Sequence, residues 1–529
     1  MCRLFKKTVL LATASLIVAS CAKTEKHEVE YLAVQMSKGD SWSIIDKDGK
    51  EVVVEEYPAD AAFSSVTDGA YWVKQDGTYQ LFSINSPKQP LCDLEFSKAT
   101  AFYAGHAVVS TPNLPIRIIN TKGQIVAALP KSIKKCSRFW NNGYAAITST
   151  DGKMGIVDTK GRIVVDPKYS WISISEDDNY YMAQKEGEAA KNIFIFDFAG
   201  KPIGKIDSEK YALLSGLSER KILVRDAFST GDTPLITLDV TGKKLFEIKK
   251  SVSKSWISEE YVDGYFVFST EDGKYGVVDD EGKTVIRAKY NQMNNLGQGR
   301  FAAKKGDEWG VVNAKDETIL PFDYDYVMPT VFGSNFLVRD GSSWAIVDKE
   351  GKEQASFDNY SWGGSNYEVD YIDLASIANA IKMDIEDFEA VESAHGAAQK
   401  WNMDIDNYHY SHKAYLTINI DEKIKGQVTI WFDDNMAEEK THQESVNDGW
   451  FTTTHTVSDG WQWTDAQPTR ITGTLNITDS SISAKDLYKQ LGITTSTNTE
   501  TKKGKKRERR TSVQEGNDNI NFEITFNYQ

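Results

Sequence analysis

The chain contains 529 residues, of which 40% are apolar and 26% charged, and it carries a formal net charge of −15. This composition, with 13 Trp, 24 Tyr and 23 Phe, excludes a disordered chain. It also excludes a polytopic membrane protein, because no apolar run beyond the N-terminus reaches the roughly 20 residues that span a bilayer. The length suggests about three domains as a first expectation.

The first 20 residues are predicted to be a secretion signal that is removed from the mature protein. Three basic residues precede an apolar stretch from Thr8 to Val18, and small residues lead to Cys21. The segment Val-Ala-Ser-Cys that ends at Cys21 resembles the bacterial lipobox. This resemblance implies cleavage before Cys21, a diacylglycerol on its sulfur and an acyl chain on the new amino group. The alternative is an ordinary signal peptide in which the cysteine is incidental.

Cleavage changes both the charge and the expected location. The signal removes three of the 61 basic residues and no acid, which leaves 58 against 76 acidic residues and a net charge of −18. Nucleic acid and anionic lipid head groups repel such a body, so nucleic acid is excluded as a partner. Residues 21–29 then form a tether whose lipid makes the membrane contact. We expect an anchored protein of the bacterial cell envelope, with the outer membrane favoured and the body facing the periplasm or the cell surface.

Two cysteines remain for the folded body, because Cys2 leaves with the signal and Cys21 is acylated. Cys92 and Cys136 are then in a compartment that permits disulfides. They either form a disulfide with each other or stay as two inert, buried thiols, and the second alternative is favoured.

A motif of nine copies fills residues 30–362. Each copy has an aromatic or apolar residue, a small or variable residue, two apolar residues and then, in most copies, Asp or Asn with Gly three positions later. The copies begin at Trp42, Tyr79, Ile116, Met154, Ile193, Leu235, Tyr275, Trp309 and Trp344, at steps of 34 to 42 residues. A Gly-led apolar strand precedes most copies by about ten residues.

The Asp-x-x-Gly segment in most copies predicts a tight hairpin turn. Gly supplies the positive φ that closes the turn, and the Asp side chain can accept from nearby backbone N–H groups. A third apolar segment follows the turn, as in residues 162–169. Each repeat is therefore predicted to hold three to four short antiparallel strands.

Several copies resemble the WG repeat, which occurs in tandem in many bacterial envelope proteins. The resemblance rests on Lys274-Tyr-Gly-Val-Val-Asp-Asp-Glu-Gly-Lys283, Glu308-Trp-Gly-Val-Val-Asn313 and Lys153-Met-Gly-Ile-Val-Asp-Thr-Lys-Gly-Arg162. A unit of three or four strands cannot bury its own faces, so neighbouring units must stack. We therefore expect a mainly β fold in which the repeats form a β-propeller of about eight blades, with nine blades or a linear β-solenoid as alternatives.

Residues 363–529 are predicted to form a separate, small α+β domain. Apolar residues at helical spacing run from Leu374 to Val391, and alternating strands follow. Ser483 and Asp486 form a capping box for a second helix that ends at Gly492. The order of helix and strands indicates a weak internal duplication.

A basic run at residues 502–510 lies within a predicted loop, residues 493–518. It either meets an anionic envelope partner or is a solvated hairpin loop, and the second alternative is favoured. His409 and His412 would face opposite sides of a strand, so we predict no metal site there. No metal and no cofactor is expected elsewhere.

Three tryptophans in the C-terminal region are candidates for stacking on a sugar or a peptide. They are Trp450, Trp461 and Trp463, and burial in a core is the alternative that is favoured for them. The sequence contains no G-x-S-x-G, P-loop or H-E-x-x-H motif, so no catalytic residues are predicted.

The sequence therefore predicts a lipid-anchored binding or scaffold protein of the envelope, without catalysis, that presents its repeats to a protein or glycan partner. One alternative is a carboxylate-based enzyme that hydrolyses glycans in a propeller channel or in the C-terminal domain. The other is a purely structural envelope protein.

Overall fold

The computed structural model describes residues 29–175, 179–187, 191–228, 234–248, 261–330, 332–361, 366–391, 413–433, 437–447, 452–463, 467–492, 495–502 and 505–528. The fold is mainly β and has two parts, a long run of β sheets and a C-terminal α+β domain. The expectation of three domains from length is therefore wrong, because the repeats form one continuous run. Within the described residues, no helix is long and apolar enough to cross a membrane.

The described residues between 31 and 361 form nine antiparallel sheets, which we call the repeat array. Sheet 1 contains β1 (Tyr31–Gln35), β2 (Trp42–Asp46) and β3 (Glu51–Tyr57), and sheet 2 contains β4 (Ala62–Phe63), β5 (Ala70–Gln75) and β6 (Thr78–Ser83). Sheet 3 contains β7 (Lys98–Ala99), β8 (His106–Ser110), β9 (Arg117–Asn120) and β10 (Ile125–Ala128). Sheet 4 contains β11 (Ile133–Ser137), β12 (Tyr144–Ser149), β13 (Met154–Asp158) and β14 (Ile163–Tyr169).

The remaining five sheets continue in chain order. Sheet 5 contains β15 (Trp171–Ile174), β16 (Tyr180–Gln184), β17 (Asn192–Asp197) and β18 (Pro202–Asp207), and sheet 6 contains β19 (Tyr211–Ser218), β20 (Lys221–Asp226), β21 (Leu235–Asp239) and β22 (Lys244–Ile248). Sheet 7 contains β23 (Tyr265–Ser269), β24 (Tyr275–Asp279) and β25 (Thr284–Tyr290), and sheet 8 contains β26 (Gln292–Gly297), β27 (Arg300–Lys305), β28 (Glu308–Asn313) and β29 (Thr318–Tyr324). Sheet 9 contains β30 (Tyr326–Val327), β31 (Phe336–Asp340), β32 (Ser343–Val347) and β33 (Glu353–Phe357).

The nine motif copies of the sequence each supply one strand to a different sheet. The turn that follows these strands has the predicted chemistry. Asp158, for example, accepts hydrogen bonds from the backbone N–H of Lys160 at 3.0 Å and of Arg162 at 2.9 Å, and Gly161 has a φ of +77°. The turn prediction is therefore confirmed, and the same carboxylate or amide cap recurs at Asp46, Asn120, Asp197, Asp239, Asp279, Asn313 and Asp348.

Each sheet packs against the next through a small apolar core. The glycine of the turn makes this approach possible, because a Cβ on Gly161 would lie 2.4 Å from the Cβ of Ala127 on the outer strand of the preceding sheet. Gly242 and Gly282 make the same close approach to Lys205 and Phe246. The turns of successive sheets therefore lie on one face of the array, which we call the turn face.

Sheets 1 and 9 also pack against each other. Strand β34 (Asn359–Ser361), which follows sheet 9, pairs antiparallel with β1 and becomes the fourth strand of sheet 1. A core cluster joins Leu32, Val34 and Ile45 of sheet 1 to three strand residues of sheet 9, including Phe357, and to Phe332 before β31. Nine core clusters thus join nine sheets.

In its described residues, the C-terminal domain has a six-stranded antiparallel sheet with two helices packed on one face. Its elements are α1 (Leu374–Glu389), β36 (Lys413–Ile420), β37 (Ile424–Phe432), β38 (Ala437–Asn447), β39 (Thr452–Trp463), β40 (Pro468–Ile477), α2 (Ala484–Leu491), β41 (Ser496–Lys502), β42 (Lys505–Glu515) and β43 (Asn519–Tyr528). The strand order β36-β37-β40-β43-β42-β41 places two halves of helix and three strands symmetrically about the pair β40–β43. Strands β38 and β39 form a separate hairpin between β37 and β40.

Local capping and apolar spacing explain the two helices. Asp373 accepts from the backbone N–H groups of Ala375 and Ser376 at the start of α1, whose buried residues follow the predicted helical spacing. Ser483 accepts from the N–H of Asp486, and α2 ends at Gly492 with a φ of +58°. One continuous core lies between the helices and the sheet.

Candidate functional site

The candidate site is the junction between the repeat array and the C-terminal domain. The connecting chain forms a short strand, β35 (Glu368–Asp370), which pairs with β11 as the fifth strand of sheet 4. Beyond it, Asn113 binds the chain twice: its N–H donates to the carbonyl of Ile372 at 2.7 Å, and its Oδ1 accepts from the N–H of Leu374 at 3.0 Å. The first turn of α1 is therefore fixed directly to sheets 3 and 4.

Four charged side chains form a largely buried ion cluster at this junction. Lys98 of β7 lies 3.0 Å from Asp370 Oδ1 and 2.9 Å from Asp479 Oδ2, and Lys423 lies 2.5 Å from Asp370 Oδ2. These four side chains are only 10% to 21% exposed. Because Lys98 belongs to the array while Lys423 and Asp479 belong to the C-terminal domain, the cluster joins the two parts.

Contacts within the cluster favour the charged forms of Asp370, Asp479 and Lys98. Burial opposes the charged form of Asp370, but hydrogen bonds and the positive charges of Lys423 and Lys98 outweigh it and lower the pKa of that carboxyl. Burial is likewise the largest influence on Asp479, and Ser481 and Lys98 overcome it and lower its pKa. Burial opposes the charge of Lys98 as well, but Asp479 and Asp370 raise the pKa of its ammonium group. Lys98, Asp370 and Asp479 are therefore charged at neutral pH.

A polar cleft with a volume of about 910 Å³ lies beside the cluster. The array contributes residues 76–78, 97 and 111–113, and the C-terminal domain contributes residues 374, 480–486, 489–490 and 515–518. The lining carries hydroxyl, amide, carboxylate and ammonium groups, with few apolar side chains. Such a lining can hydrogen-bond a polar ligand through both donors and acceptors, and clefts between domains are common ligand sites.

Two smaller cavities lie elsewhere. A shallow groove of about 370 Å³ crosses the face of the C-terminal sheet opposite the helices, and it is lined by neutral polar residues such as Gln427, Thr472 and Gln514. A pocket of about 200 Å³ lies beside β1 and is lined by Tyr31, Tyr103 and other residues. The junction cleft is the largest of these three.

Of the predicted site residues, Cys92 and Cys136 are described with their side chains, and neither lines the cleft. Cys21 lies outside the described residues. Cys92 and Cys136 are free cysteines in this structure, and the choice between a disulfide and two thiols stays a prediction. Cys136 is completely buried in the core between sheets 3 and 4, and this burial strongly raises the pKa of its thiol, which keeps it unreactive. Cys92 is only partly buried.

The three candidate stacking tryptophans are Trp450, Trp461 and Trp463. Trp450 lies outside the described residues. Trp461 and Trp463 belong to β39 in the separate hairpin, opposite Glu439 and Ala437. Their role as stacking residues stays a prediction.

The basic run is not the loop that the sequence predicted. Most of it lies on β41 and β42, which pair with each other at the edge of the C-terminal sheet. Arg509 binds both oxygens of Glu389 at the end of α1, at 3.0 and 3.2 Å, and Arg507 is 2% exposed with its guanidinium 4.5 Å from the ring centre of Phe526. Two of the basic residues therefore brace α1 against the sheet.

Sequence reasoning missed all four members of the ion cluster. Lys98 and Asp479 are 381 positions apart, and neither belongs to a repeated motif. Only a three-dimensional arrangement brings them together, so no local signal could have identified them. Among the described residues, no group of three or more His, Cys, Asp or Glu side chains is placed to hold a metal ion.

Comparisons with known proteins identify the repeats. Residues 154–188, 275–309 and 309–352 match the family model described as WG containing repeat, which confirms the WG repeat in these segments. No curated protein matches the chain.

Solved structures share a distant likeness with the chain. BamB from Moraxella catarrhalis is 14% identical over 49% of this chain and 87% of its own, with a TM-score of 0.32. A eukaryotic initiation factor is 12% identical over 63% and 98%, with a TM-score of 0.43, and the WD40 β-propeller domain of Doa1 is 12% identical over 46% and 90%, with a TM-score of 0.24. These low scores say nothing about the function of this chain.

Proposed function

We propose that the protein is a lipid-anchored binding or scaffold protein of the bacterial envelope, which holds a protein or glycan partner in the junction cleft without catalysis. The observation that carries this proposal is the cleft itself, which is built from two parts of the chain that the ion cluster and β35 hold together. A site between two fixed parts is formed before the ligand arrives, so binding costs little reorganisation.

A photo-crosslinking amino acid in the cleft tests this function. We would place it at Thr78 or Asn517, which line the cleft from the two parts, and at Thr121 of the turn face as the control. The same envelope component should be captured in cells at both cleft positions and not at the control. Thr78→Trp should abolish capture from Asn517, whereas Thr121→Trp should not. Equal capture at all three positions would contradict the proposal, and turnover of an envelope glycan by the purified protein would favour the enzyme.

The lipid anchor is a second part of the proposal, supported by the sequence around Cys21. Cys21→Ser should abolish acyl labelling and release the protein from the membrane fraction. Membrane retention of this variant would contradict the anchor. Together with the secretion signal, the anchor supports an envelope location, with the outer membrane favoured.

We also propose that the repeat array is a closed β-propeller of nine blades. An open stack of nine sheets would have eight interfaces, whereas nine core clusters and the pairing of β1 with β34 support a ring. The turn glycine of sheet 1 supports it further, because a Cβ on Gly49 would lie 2.7 Å from the Cβ of Ala355 on β33. Sheet 9 thus packs against the turn of sheet 1 in the same way as the other sheets pack against the turn of the sheet that follows them.

A pair of glycine variants tests closure. Gly49 and Gly39 both have positive φ, but a Cβ on Gly39 would meet nothing within 4 Å. If the ring is closed, Gly49→Ala should lower the free energy of unfolding by more than Gly39→Ala, for which about 1 kcal/mol is expected from backbone strain alone. Equal losses in urea titrations would favour the open solenoid.

A further inference from the structure

The N-terminus of the folded body leaves the array on the turn face. Tyr31, the first residue of β1, pairs directly with Asp46, which caps the turn that ends at Gly49. The side chain of Asn335 in sheet 9 also donates to the carbonyl of Lys47 in this turn, at 2.9 Å. The chain that leads back to Cys21 therefore starts beside these turns.

The C-terminal domain is attached on the opposite face. Strand β9 shows this directly, because its end at Asn120 caps a turn of the turn face, while the loop before its start contains Asn113, which holds Ile372 and Leu374. The junction cleft uses the loops at this second end of the strands, including residues 76–78 and 111–113. The length of the strands therefore separates the cleft from the turn face.

The turn face also differs from the rest of the body in charge. Eight of its turns, at residues 46–50, 120–124, 158–162, 197–201, 239–243, 279–283, 313–317 and 348–352, contain eleven Lys and Arg against twelve Asp and Glu. The protein without its first 20 residues, which contain three of the 61 Lys and Arg, has 58 against 76. An anionic bilayer would repel these turns less than it repels the remainder of the surface.

We propose that the turn face lies against the membrane surface and that the C-terminal domain with the junction cleft points away from it. The inference rests on the proposed lipid anchor. Eight peptide links join Cys21 to Val29, a reach of at most about 30 Å when fully extended. To bring the cleft to the bilayer, this segment would have to pass around the outer edge of the array and beyond the C-terminal domain.

Energy transfer on vesicles tests this orientation. The acylated protein, in a Cys92→Ser background, would carry a donor dye at Lys160→Cys on the turn face or at Met383→Cys on α1, and the vesicles would carry an acceptor on a phospholipid head group. Lys160 and Met383 are both exposed, so labelling should leave the fold intact. Transfer from position 160 should be about twofold or more higher than from position 383, because a strand length of about 20 Å and the C-terminal domain separate them.

Three results are distinguishable. Higher transfer from position 160 supports the orientation. Equal transfer, or higher transfer from position 383, overturns it while the anchor stands. If the Cys21→Ser form binds the same vesicles as tightly as the acylated form, then the anchor itself fails and the orientation fails with it.

Discussion

The repeat array and the C-terminal domain bury their apolar side chains in different ways. Each of the nine clusters in the array contains between seven and eleven buried residues from neighbouring sheets, whereas the described part of the C-terminal domain has one cluster of 23. Stability in the array is therefore a sum over neighbours, while the C-terminal domain depends on a single core. The effect of a core substitution should stay local in the repeat array and spread through the whole C-terminal domain.

The largest expected effect comes from a matched pair of core truncations. Phe388 of α1 and Phe301 of β27 are both fully buried, the first in the single core and the second between sheets 7 and 8. Each Phe→Ala change should cost about 3–5 kcal/mol of unfolding free energy. Phe388→Ala should remove hydrogen-exchange protection throughout the C-terminal sheet, whereas Phe301→Ala should remove it chiefly in sheets 7 and 8. Loss spread equally over all nine sheets in Phe301→Ala would contradict the comparison.

The junction decides whether the two parts unfold together. Asp370→Asn leaves Lys98 and Lys423 without their shared carboxylate, and breaking a buried ion pair in this way costs about 3 kcal/mol. Calorimetry should show the C-terminal transition moving to lower temperature and away from that of the array. The control is Glu368→Gln, which removes only the exposed pair with Lys135 and should shift neither transition measurably.

Acid should weaken the junction as the Asp370→Asn substitution does, because both remove the negative charge of this carboxylate. The pKa values of Asp370 and Asp479 are lowered in the folded protein, so their stabilisation is present above the unfolded value of about 3.9 and is lost as the pH falls through the folded values. The pKa of Lys98 is raised, so its contribution holds at acid and neutral pH and is lost only in strong alkali. The difference in Tm between the parent protein and Asp370→Asn should therefore shrink below about pH 4. A difference that is constant from pH 3 to pH 7 would contradict the role of this carboxylate.

A smaller effect is expected from a pair of glycine variants that measures how closely one sheet packs against the next. Gly161 and Gly152 have φ values of +77° and +80°, but only Gly161 closely approaches a neighbouring sheet. Gly152→Ala should cost about 1 kcal/mol through backbone strain, and Gly161→Ala should cost about 1–3 kcal/mol more through overpacking. Urea titrations of the two variants measure the difference, and equal midpoints would show that the sheets do not meet through this turn.

The smallest effect concerns the turn cap. Asp158→Ala removes the acceptor for the N–H groups of Lys160 and Arg162 and should cost about 1 kcal/mol. Asp158→Asn keeps an acceptor oxygen and should cost less. If both variants melt at the same temperature as the parent protein, then Gly alone sets the turn.

Much of the array could be predicted because its information is local. The motif copies beginning at Trp42, Met154 and Trp309 predicted strands in different sheets. In the first two copies the turn residues also predicted the positive φ and the side-chain cap. These features repeat in short segments, so each segment carries the information for its own strand and turn. The pairing of β1 with β34 was harder to predict, because β34 lies at the far end of the array in the sequence.

The C-terminal domain and the junction could not be predicted in detail, for a physical reason. The central strand pair of the C-terminal sheet, β40–β43, joins segments about 50 residues apart. The basic run on β42 lacks the alternating apolar pattern of a buried strand. Arg507 is nevertheless buried, since its charge is matched by Glu389 and its flat group lies against Phe526. Such compensation between distant residues has no signature in the local sequence.

The pairing of β1 with β34 also imposes an order in time. Gln35 of β1 and Asn359 of β34 are 324 positions apart. Because a ribosome adds about 5–20 residues each second, β1 is synthesised tens of seconds before β34. Throughout synthesis, β1 would therefore present an unpaired strand edge that other nascent chains could join. The pairing of β1 with β34 must therefore be a late step in folding, and the edge of β1 needs protection from other chains until then.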